Sequence, residues 1–123
     1  MNWIKRKPNK KAKLRRKADK LWTAIILSQN PKCECCGKPS LQAHHFYFKG
    51  SYPLLRYNLS NGVSLCLSCH FKLHFRDAKA VEEIIIKKRG QIWFKKIQKL
   101  SHINKTSFLT IGYYEQKIKV LSN

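Results

Sequence analysis

Apolar side chains mark the first helix of the chain. Over residues 12–28 they recur at the spacing of one face of an α-helix, which predicts an amphipathic helix. The apolar stripe consists of Leu14, Ala18, Leu21, Trp22, Ile25 and Ile26. Asn30-Pro31 ends the pattern, because the residue before a proline is disfavoured in the helical conformation. Residues 1–11, which precede the helix, are basic and contain Pro8, and we interpret them as a flexible arm.

The central region has the pattern of two short strands followed by a helix. Residues 40–48 and residues 63–65 predict the strands, and the segment between them contains loop-forming residues. Asn61-Gly62 is a turn signal directly before the second strand. A helix is predicted to follow over residues 66–74. The order is that of a β-hairpin packed on a helix, which belongs to the α+β class.

Three more helices are predicted towards the C-terminus. Asp77 is the predicted N-cap of the first, and Gly90 is predicted to end it in a conformation that glycine favours. The second helix is predicted over residues 91–100. The last is predicted to follow a cap at Thr106 or Ser107 and to contain a glycine that weakens it.

The net charge restricts the class of partner. The 123 residues include 26 Lys and Arg against 6 Asp and Glu, which gives a formal net charge of +20. Such a chain binds polyanions, so we expect nucleic acid; an anionic membrane surface and a ribonucleoprotein are the alternatives. The first predicted helix has a basic face beside its apolar stripe. We assign phosphate contacts there to Lys13, Arg16, Lys17 and Lys20.

Other classes of site and location fit the sequence poorly. The six acids are scattered, so no carboxylate cluster is expected to hold magnesium. There is no secretory signal, and no apolar stretch approaches the length of a bilayer span. We therefore predict a cytoplasmic protein without a membrane partner, in a compartment that keeps thiols reduced.

Four of the five cysteines form two C-x2-C pairs, at Cys33, Cys36, Cys66 and Cys69. Four thiolates make a closed tetrahedral shell around zinc. We therefore predict a structural Zn²⁺, which a domain with so small a core would need for its stability. A closed shell leaves no coordination position for a substrate, so this site is not expected to be catalytic. Cys35 is left over, and we assign it no function.

The histidines predict a second metal site of a different kind. His70 and His74 are four residues apart on a predicted helix, so both rings point to one side. His44 on the first strand is the candidate third ligand. Three imidazoles leave positions open for water and a phosphate oxygen on a divalent ion such as Zn²⁺, Ni²⁺, Mn²⁺ or Mg²⁺. The alternatives are that these histidines are ordinary polar residues, or that one replaces a cysteine at the zinc.

The residues of both sites, in their order along the chain, resemble the HNH (ββα-metal) endonuclease motif. The matching positions are Cys33, Cys36, Ala43-His44-His45, Asn61, Cys66, Cys69-His70 and His74. The resemblance covers residues 33–74. It implies an α+β fold with a small ββα-metal core and structural zinc. It also implies metal-dependent hydrolysis of DNA phosphodiester bonds that leaves a 5′ phosphate.

The resemblance further implies roles for individual residues. It makes His44 a metal ligand and His45 the general base that takes a proton from the attacking water. Asn61 would brace the loop and orient the base, and Asn58 is the competing assignment. His44 stands where many members have Asp; an all-nitrogen site favours zinc, nickel or manganese over magnesium. Adjacent strand residues point to opposite faces, so the backbone must twist to bring both histidines to one cleft.

A looser similarity extends beyond the motif. The stretch HHFYFKGSYPLLRYNLSN and the helices that follow it resemble phage NinG-type recombination nucleases, which are associated with branched DNA. Tyr47, Lys49 and Arg56 lie in the loop that faces the predicted cleft. We assign nucleic-acid binding to Lys49 and Arg56. Arg56 is the candidate for holding the phosphate, because a guanidinium binds phosphate in a bidentate fashion and few acids are present to pair with it.

The sequence thus predicts one domain over residues 12–123, with its motif core at 33–74 and a helical C-terminal part at 77–121. The predicted protein is an HNH endonuclease that acts on DNA, either as a nicking monomer or as a dimer. The alternatives are a zinc-knuckle nucleic-acid-binding protein without catalysis and an HNH nuclease acting on RNA. The residues that only a nuclease needs are His44, His45, Asn61, His70 and His74.

Overall fold

The computed structural model describes residues 8–103 and 108–123. The elements in chain order are α1 (Lys10–Gln29), β1 (Gln42–His45), β2 (Gly62–Leu65), α2 (Leu67–Phe75), α3 (Ala78–Arg89), α4 (Gln91–Ser101) and α5 (Ile111–Leu121). Two 3-10 helices, Pro53–Leu55 and Leu59–Asn61, lie in the connection between the strands. The described part of the chain is therefore a small α+β protein with five α-helices and a two-stranded sheet, which confirms the predicted class.

Helix α1 begins slightly earlier than the periodicity indicates. The side chain of Asn9 accepts a hydrogen bond of 2.8 Å from the backbone N–H of Ala12, and a cap of this kind fixes the first turn. Lys10 and Lys11, which we assigned to the arm, therefore belong to the helix. Residues 1–7 of the predicted arm lie outside the described residues. The predicted inward face is confirmed, with Ala18, Trp22 and Ile26 buried.

Strands β1 and β2 form a short antiparallel hairpin. The paired residues are Gln42 with Leu65, Ala43 with Ser64, His44 with Val63 and His45 with Gly62. Strand β1 is shorter than the predicted segment 40–48. The reason lies at Tyr47, whose backbone N–H and carbonyl are both bonded to the side chain of Asn61, at 2.8 and 3.0 Å. A side chain thus replaces the strand partner, and the backbone leaves the ladder after His45.

Gly62 has a different purpose from the one that the Asn61-Gly62 pair suggests. A 3-10 turn does end at Asn61 directly before β2, but Gly62 is not part of it, since Gly62 opens β2 and has an ordinary φ of −87°. What requires glycine is the approach of α1. A Cβ atom at Gly62 would lie 2.2 Å from Cδ1 of Ile26 and 3.0 Å from Cζ2 of Trp22. The missing side chain therefore allows α1 to pack directly on the hairpin.

Most buried apolar side chains of residues 8–103 and 108–123 belong to two clusters. One joins α1 to α5 and to the loop residue Tyr57, and its buried members are Ala18, Trp22, Ile26, Tyr57, Tyr114 and Leu121. The other joins the hairpin to α2 and α3, and its buried members are Cys33, Phe46, Val63, Leu65, Cys66, Leu73, Val81 and Ile85. The hairpin is thus held by α1 on one side and by α2 with α3 on the other.

The helices towards the C-terminus begin and end at most of the predicted residues. Asp77 caps α3 by accepting a 3.0 Å hydrogen bond from the N–H of Ala80, as predicted. Gly90 ends α3 with a φ of +96°, a conformation that other residues rarely adopt. Helix α5 has Thr110 as its cap. The caps that we predicted, Thr106 and Ser107, lie outside the described residues.

No helix in residues 8–103 or 108–123 is both long enough and apolar enough to cross a bilayer.

The contact at Gly62 leads to a stability prediction. Gly62→Ala should lower the free energy of unfolding by about 2 kcal/mol or more, because the new methyl group forces Ile26 and the helix away from the hairpin. Gly112→Ala is the matched control, since among the described residues its Cβ position has no closer neighbour than Oγ1 of Thr110, at 3.8 Å. Alanine favours helix, so the control should leave stability unchanged or raise it. Equal effects of both substitutions in denaturant unfolding would contradict the packing argument.

Candidate metal centres

The four predicted cysteine ligands converge where the first C-x2-C turn meets the start of α2. The Sγ atoms of Cys33, Cys36, Cys66 and Cys69 all lie within 4.8 Å of one another. Zinc with bonds of about 2.3 Å to four sulfurs places those sulfurs about 3.8 Å apart. The observed distance from Cys36 Sγ to Cys66 Sγ is 3.6 Å. The cysteines therefore form a closed donor set that could hold a metal ion such as Zn²⁺.

Local backbone structure shapes both cysteine pairs. In the first turn the N–H of Cys33 donates to the carbonyl of Lys38 at 2.6 Å, and Gly37 turns the chain with a φ of +80°. In the second pair Cys66 is the N-cap of α2, and its sulfur accepts a hydrogen bond of 3.4 Å from the N–H of Cys69. Backbone N–H groups thus point at sulfur in both turns, which favours the thiolate form that binds metal.

The ionisation of the thiols is consistent with a site for a cation. Burial by itself raises the pKa of Cys33, but hydrogen bonds from the backbone of Cys66, Cys36 and Cys35 outweigh it and lower the pKa to about 6. The pKa of Cys69 is raised by burial and by the neighbouring sulfurs. Thiolates this close repel one another, and a bound cation would remove that repulsion. Cys35 is half-buried and lies outside the four-cysteine group.

The structure also brings together the three predicted histidine ligands. One ring nitrogen of each of His44, His70 and His74 lies within 4.8 Å of the other two. The Nε2 atoms of His70 and His74 are 3.1 Å apart, as expected for residues one helical turn apart. Two nitrogens bound to one zinc at about 2.0–2.1 Å are about 3.4 Å apart in a tetrahedral shell. The three rings therefore form a second donor set, and its catalytic use remains a prediction.

Burial favours the neutral form of two of the clustered histidines, His44 and His70. His44 is only 7% exposed. Its burial, followed by the charges of His74 and His70, lowers its pKa to about 3. The pKa of His70 is also lowered, first by burial and then by His74. A neutral imidazole presents a lone pair without first losing a proton, so at neutral pH His44 and His70 are ready to bind a divalent ion.

Both adjacent histidines of β1 border one cleft. This cleft, which we call the histidine cleft, has a volume of about 290 Å³. Its lining residues are Ala43, His44, His45, Phe48, Lys49, Gly50, His70 and His74. His44 lies against α2, with its ring centroid 5.3 Å from that of His74, and His45 lies against α1. The strand ends at His45, and its last two side chains therefore reach the same cavity from opposite faces.

The environment of His45 determines its tautomer. Its ring is stacked on Trp22 with centroids 3.9 Å apart, and its Nε2 atom lies 2.9 Å from the carbonyl oxygen of Arg56. A carbonyl only accepts, so Nε2 carries the hydrogen and Nδ1 keeps a free lone pair. Burial, with smaller effects of the Lys49 and Arg56 charges, lowers the pKa of His45 to about 4. The ring is therefore neutral and fixed in orientation.

Asn61 braces the loop as predicted, and its influence on His45 is indirect. It is fully buried and bonds the backbone of Tyr47 and, at 3.2 Å, the carbonyl of Leu55, the residue before Arg56. Asn58, the alternative to Asn61 as the motif asparagine, makes a different contact. Its carbonyl accepts a hydrogen bond of 3.2 Å from Nε1 of Trp22, the ring that stacks on His45. Asn61 thus supports the loop backbone next to Arg56, whose carbonyl bonds His45. Asn58 supports Trp22, the ring on which His45 is stacked.

The expectation that Arg56 has no acidic partner is wrong. Its Nε and one terminal nitrogen donate to the two carboxylate oxygens of Asp19, at 2.9 and 2.6 Å. Asp19 is the one acid of α1, and the helix aims it at the loop. Burial raises the pKa of Asp19, but the bonds to Arg56 outweigh this and lower it. The guanidinium that we assigned to phosphate is therefore occupied, and Arg56 joins the loop to α1 instead.

The remaining residues that we assigned to nucleic acid are accessible. The side chains of α1 in this set are all exposed, and they are Lys13, Arg16, Lys17 and Lys20. Lys49 is exposed as well and lines the histidine cleft. The structure thus keeps a basic helix face, and it leaves one lysine at the edge of the cleft where Arg56 is not free.

Sequence reasoning missed Arg89, which connects several elements. Its guanidinium pairs with Glu34 in the first cysteine turn and donates to the carbonyls of Ser60 and Gly62, at 2.8 and 2.6 Å. Trp93 donates to the same Ser60 carbonyl at 2.9 Å. The periodicity shows Arg89 only as a basic residue in the last turn of a helix. The sequence offered one indication of its role: Glu34 is an acid in a chain with few of them, so a basic partner for it was to be expected.

Comparisons with models of protein families, with curated proteins and with solved structures yield no match for this chain.

Proposed function

We propose that this protein is a metal-dependent endonuclease of the HNH type that hydrolyses phosphodiester bonds in DNA. The observation that carries the proposal is the convergence of His44, His70 and His74 on one cleft that His45 also lines. These four histidines are separate from the cysteine group, which suffices for a structural zinc on its own. A binding protein would have no need for the second donor set.

The three clustered histidines would hold one divalent ion. Their nitrogen donors favour zinc, nickel or manganese over magnesium. When bound, the ion would polarise the scissile phosphate and stabilise the leaving 3′ oxygen. His44 comes from β1 and the other two ligands from α2, so the site depends on the packing of this strand on this helix.

His45 is the proposed general base. Its Nε2 hydrogen is bonded to the Arg56 carbonyl, so Nδ1 is the atom that takes a proton from the attacking water. The Trp22 ring beneath it and the Asn58 carbonyl that holds Trp22 keep the imidazole in place. A base that is already oriented loses no free energy to ordering during the reaction, which is the advantage of such support.

The four-cysteine site supports the proposed active site structurally. Cys66 is the N-cap of α2, the helix that carries His70 and His74. A zinc ion at the cysteines would fix the start of this helix to the first turn. Structural zinc sites contribute on the order of 10 kcal/mol to folding, which exceeds what most single contacts supply.

The charge distribution favours a nucleic-acid substrate. The exposed basic face of α1 would bind phosphates without regard to sequence, and Lys49 would contact the phosphate nearest the cleft. The similarity to phage NinG-type recombination nucleases supports branched DNA as one substrate to test. RNA uses the same phosphate chemistry and is the substrate of one alternative reading.

The second candidate is a nucleic-acid-binding protein without catalysis. The closed cysteine group and the basic face of α1 would be sufficient for this function. The two proposals differ in what they require of His44 and His45, so substitutions there decide between them.

His45→Gln should abolish cleavage and leave metal content and DNA affinity nearly unchanged. Glutamine keeps a donor for the Arg56 carbonyl but has no basic nitrogen, so the rate should fall by at least about 10²-fold. His44→Ala should instead weaken metal binding at the histidine cleft, because it removes a ligand. His102→Ala, at an exposed histidine outside the cleft, is the control. Cleavage would be measured on supercoiled, linear and branched DNA and on RNA, beside metal analysis.

Two results would contradict these assignments. If His45→Gln loses the metal while His44→Ala keeps both metal and cleavage, the two roles are reversed. If the wild-type protein binds DNA or RNA but cuts neither with any of the four divalent ions, the non-catalytic binding protein is the correct reading.

Affinity for DNA should depend strongly on salt. Each phosphate contact contributes about 0.9 to the slope of log affinity against log salt concentration. Replacing the exposed basic residues of α1 with Gln should therefore flatten the slope by about 3 to 4 and leave the fold intact. The substituted residues are Lys13, Arg16, Lys17 and Lys20.

A matched control removes the same charge elsewhere. Its four substitutions are placed at exposed lysines of α3 and α4, namely Lys87, Lys95, Lys96 and Lys99, each replaced by Gln. We expect a much smaller change in slope for this variant. Equal changes in the two variants would mean that α1 is not the binding face and that only the net charge matters.

A further inference from the structure

A second cavity of about 290 Å³ lies next to the histidine cleft. Its walls are mostly aromatic, and its lining residues are Phe46, Tyr47, Phe48, Tyr52, Glu82, Ile86 and Phe94. We call it the aromatic pocket. Phe48 lines both this pocket and the histidine cleft, and its ring centroid is 5.7 Å from that of His44 and 6.3 Å from that of His74. A ligand that spans the two cavities would therefore pass along Phe48.

The aromatic lining and the volume of this pocket suit a flat ring. Tyr47 and Tyr52 meet edge to face with centroids 4.9 Å apart, and Phe46 meets Phe94 in the same way at 6.2 Å. Aromatic walls bind planar heterocycles by stacking, with little dependence on which heterocycle is bound. The volume is at the small end for a ligand site, which fits a single nucleobase better than a larger molecule.

Glu82 is the unusual member of this pocket. Four of the other acids have evident tasks in the structure: Asp19 pairs with Arg56, Glu34 pairs with Arg89, Asp77 caps α3 and Glu83 pairs with Lys79. Glu82 is half-buried, and its carboxylate makes no hydrogen bond or ion pair with any residue that the structure describes. Its partial burial raises the pKa of this carboxyl above its ordinary value.

The unpaired Glu82 carboxylate would repel a phosphate group. The part of a DNA ligand that lies beside Glu82 should therefore be one that carries a hydrogen-bond donor. The exocyclic amino groups of cytosine, adenine and guanine are such donors, and Glu accepts a hydrogen bond from the cytosine amino group in known recognition modes. Thymine has no amino group, and its one base donor, N3–H, lies between two carbonyl oxygens that repel a carboxylate. The carboxylate would thus add selectivity to a pocket whose aromatic walls are indifferent to base identity.

We infer that the aromatic pocket receives one unpaired nucleobase of DNA bound at the histidine cleft, and that Glu82 selects bases with an exocyclic amino group. A phosphate in the cleft and a base in the pocket would be joined through a sugar that lies along Phe48. The inference rests on the DNA binding of the proposed function and is independent of cleavage. It implies a preference for DNA in which a base is already unpaired, because extrusion from a duplex costs free energy.

The test compares the affinities of three duplexes that differ at a single bulged position. The bulge carries cytosine, thymine or an abasic sugar, and fluorescence anisotropy gives the dissociation constants, with the DNA checked on a gel for integrity. Stacking of one base changes affinity by roughly 5- to 150-fold. We expect thymine to bind about fivefold tighter than the abasic sugar through stacking alone, and cytosine about fivefold tighter again, or about 25-fold tighter than the abasic sugar.

Glu82→Met should remove the preference for cytosine over thymine and keep the preference of both over the abasic sugar, because the aromatic walls remain. Glu83→Met is the matched control: it removes the same charge from the neighbouring position, where the carboxylate is exposed and paired. The ratio of dissociation constants is the readout, since the loss of any negative charge raises affinity for DNA in general.

Several outcomes would overturn the inference. Equal affinities for the three bulges in the wild-type protein would show that the pocket holds no base. An unchanged ratio in Glu82→Met, with or without a lower melting temperature, would leave Glu82 with a structural role in α3 only. If Glu83→Met also removes the preference for cytosine over thymine, the preference depends on the negative charge of α3 and not on the position of Glu82. Absence of DNA binding would remove the proposed function as well, whereas base selectivity without cleavage would leave the pocket standing and refute only the nuclease.

Discussion

The close contact of α1 with the start of β2 is the constraint on which the rest of the structure depends. A two-stranded hairpin with strands of four residues is not stable by itself and needs an apolar partner on at least one side. Gly62 allows Ile26 and Trp22 of α1 to reach the hairpin backbone. The same approach places the Trp22 ring on His45. Packing of the core and orientation of the proposed base are therefore consequences of one missing side chain.

Helix α2 takes part in both groups of side chains that could hold a metal ion. Its N-cap Cys66 and its residue Cys69 belong to the group of four thiols, whereas His70 and His74 belong to the group of three imidazoles. Soft thiolates suit an ion that remains bound and supports the fold, whereas three imidazoles leave room for water and substrate. Adjacent residues, Cys69 and His70, thus serve different donor sets because successive helix positions point in different directions.

The sequence predicted features that depend on spacing and failed on features that depend on tertiary contact. The C-x2-C pairs and the histidines one helical turn apart were placed correctly, since their geometry follows from local structure. The partner of Arg56 was not, because Asp19 is distant in sequence and only packing brings it to the loop. Gly62 looked like a turn residue for the same reason. The fold class was predictable, while the end of β1 depended on the buried side chain of Asn61.

The most direct test of two separate metal sites is X-ray absorption at the zinc edge, because sulfur and nitrogen ligands differ in distance, at about 2.3 and about 2.0–2.1 Å. The zinc-saturated protein should contain two ions and show both distances. In the double variant His70→Ala with His74→Ala it should contain one ion with sulfur ligands only. A single ion in the wild-type protein, bound by sulfur and nitrogen together, would show that a histidine completes the cysteine site and would contradict the account.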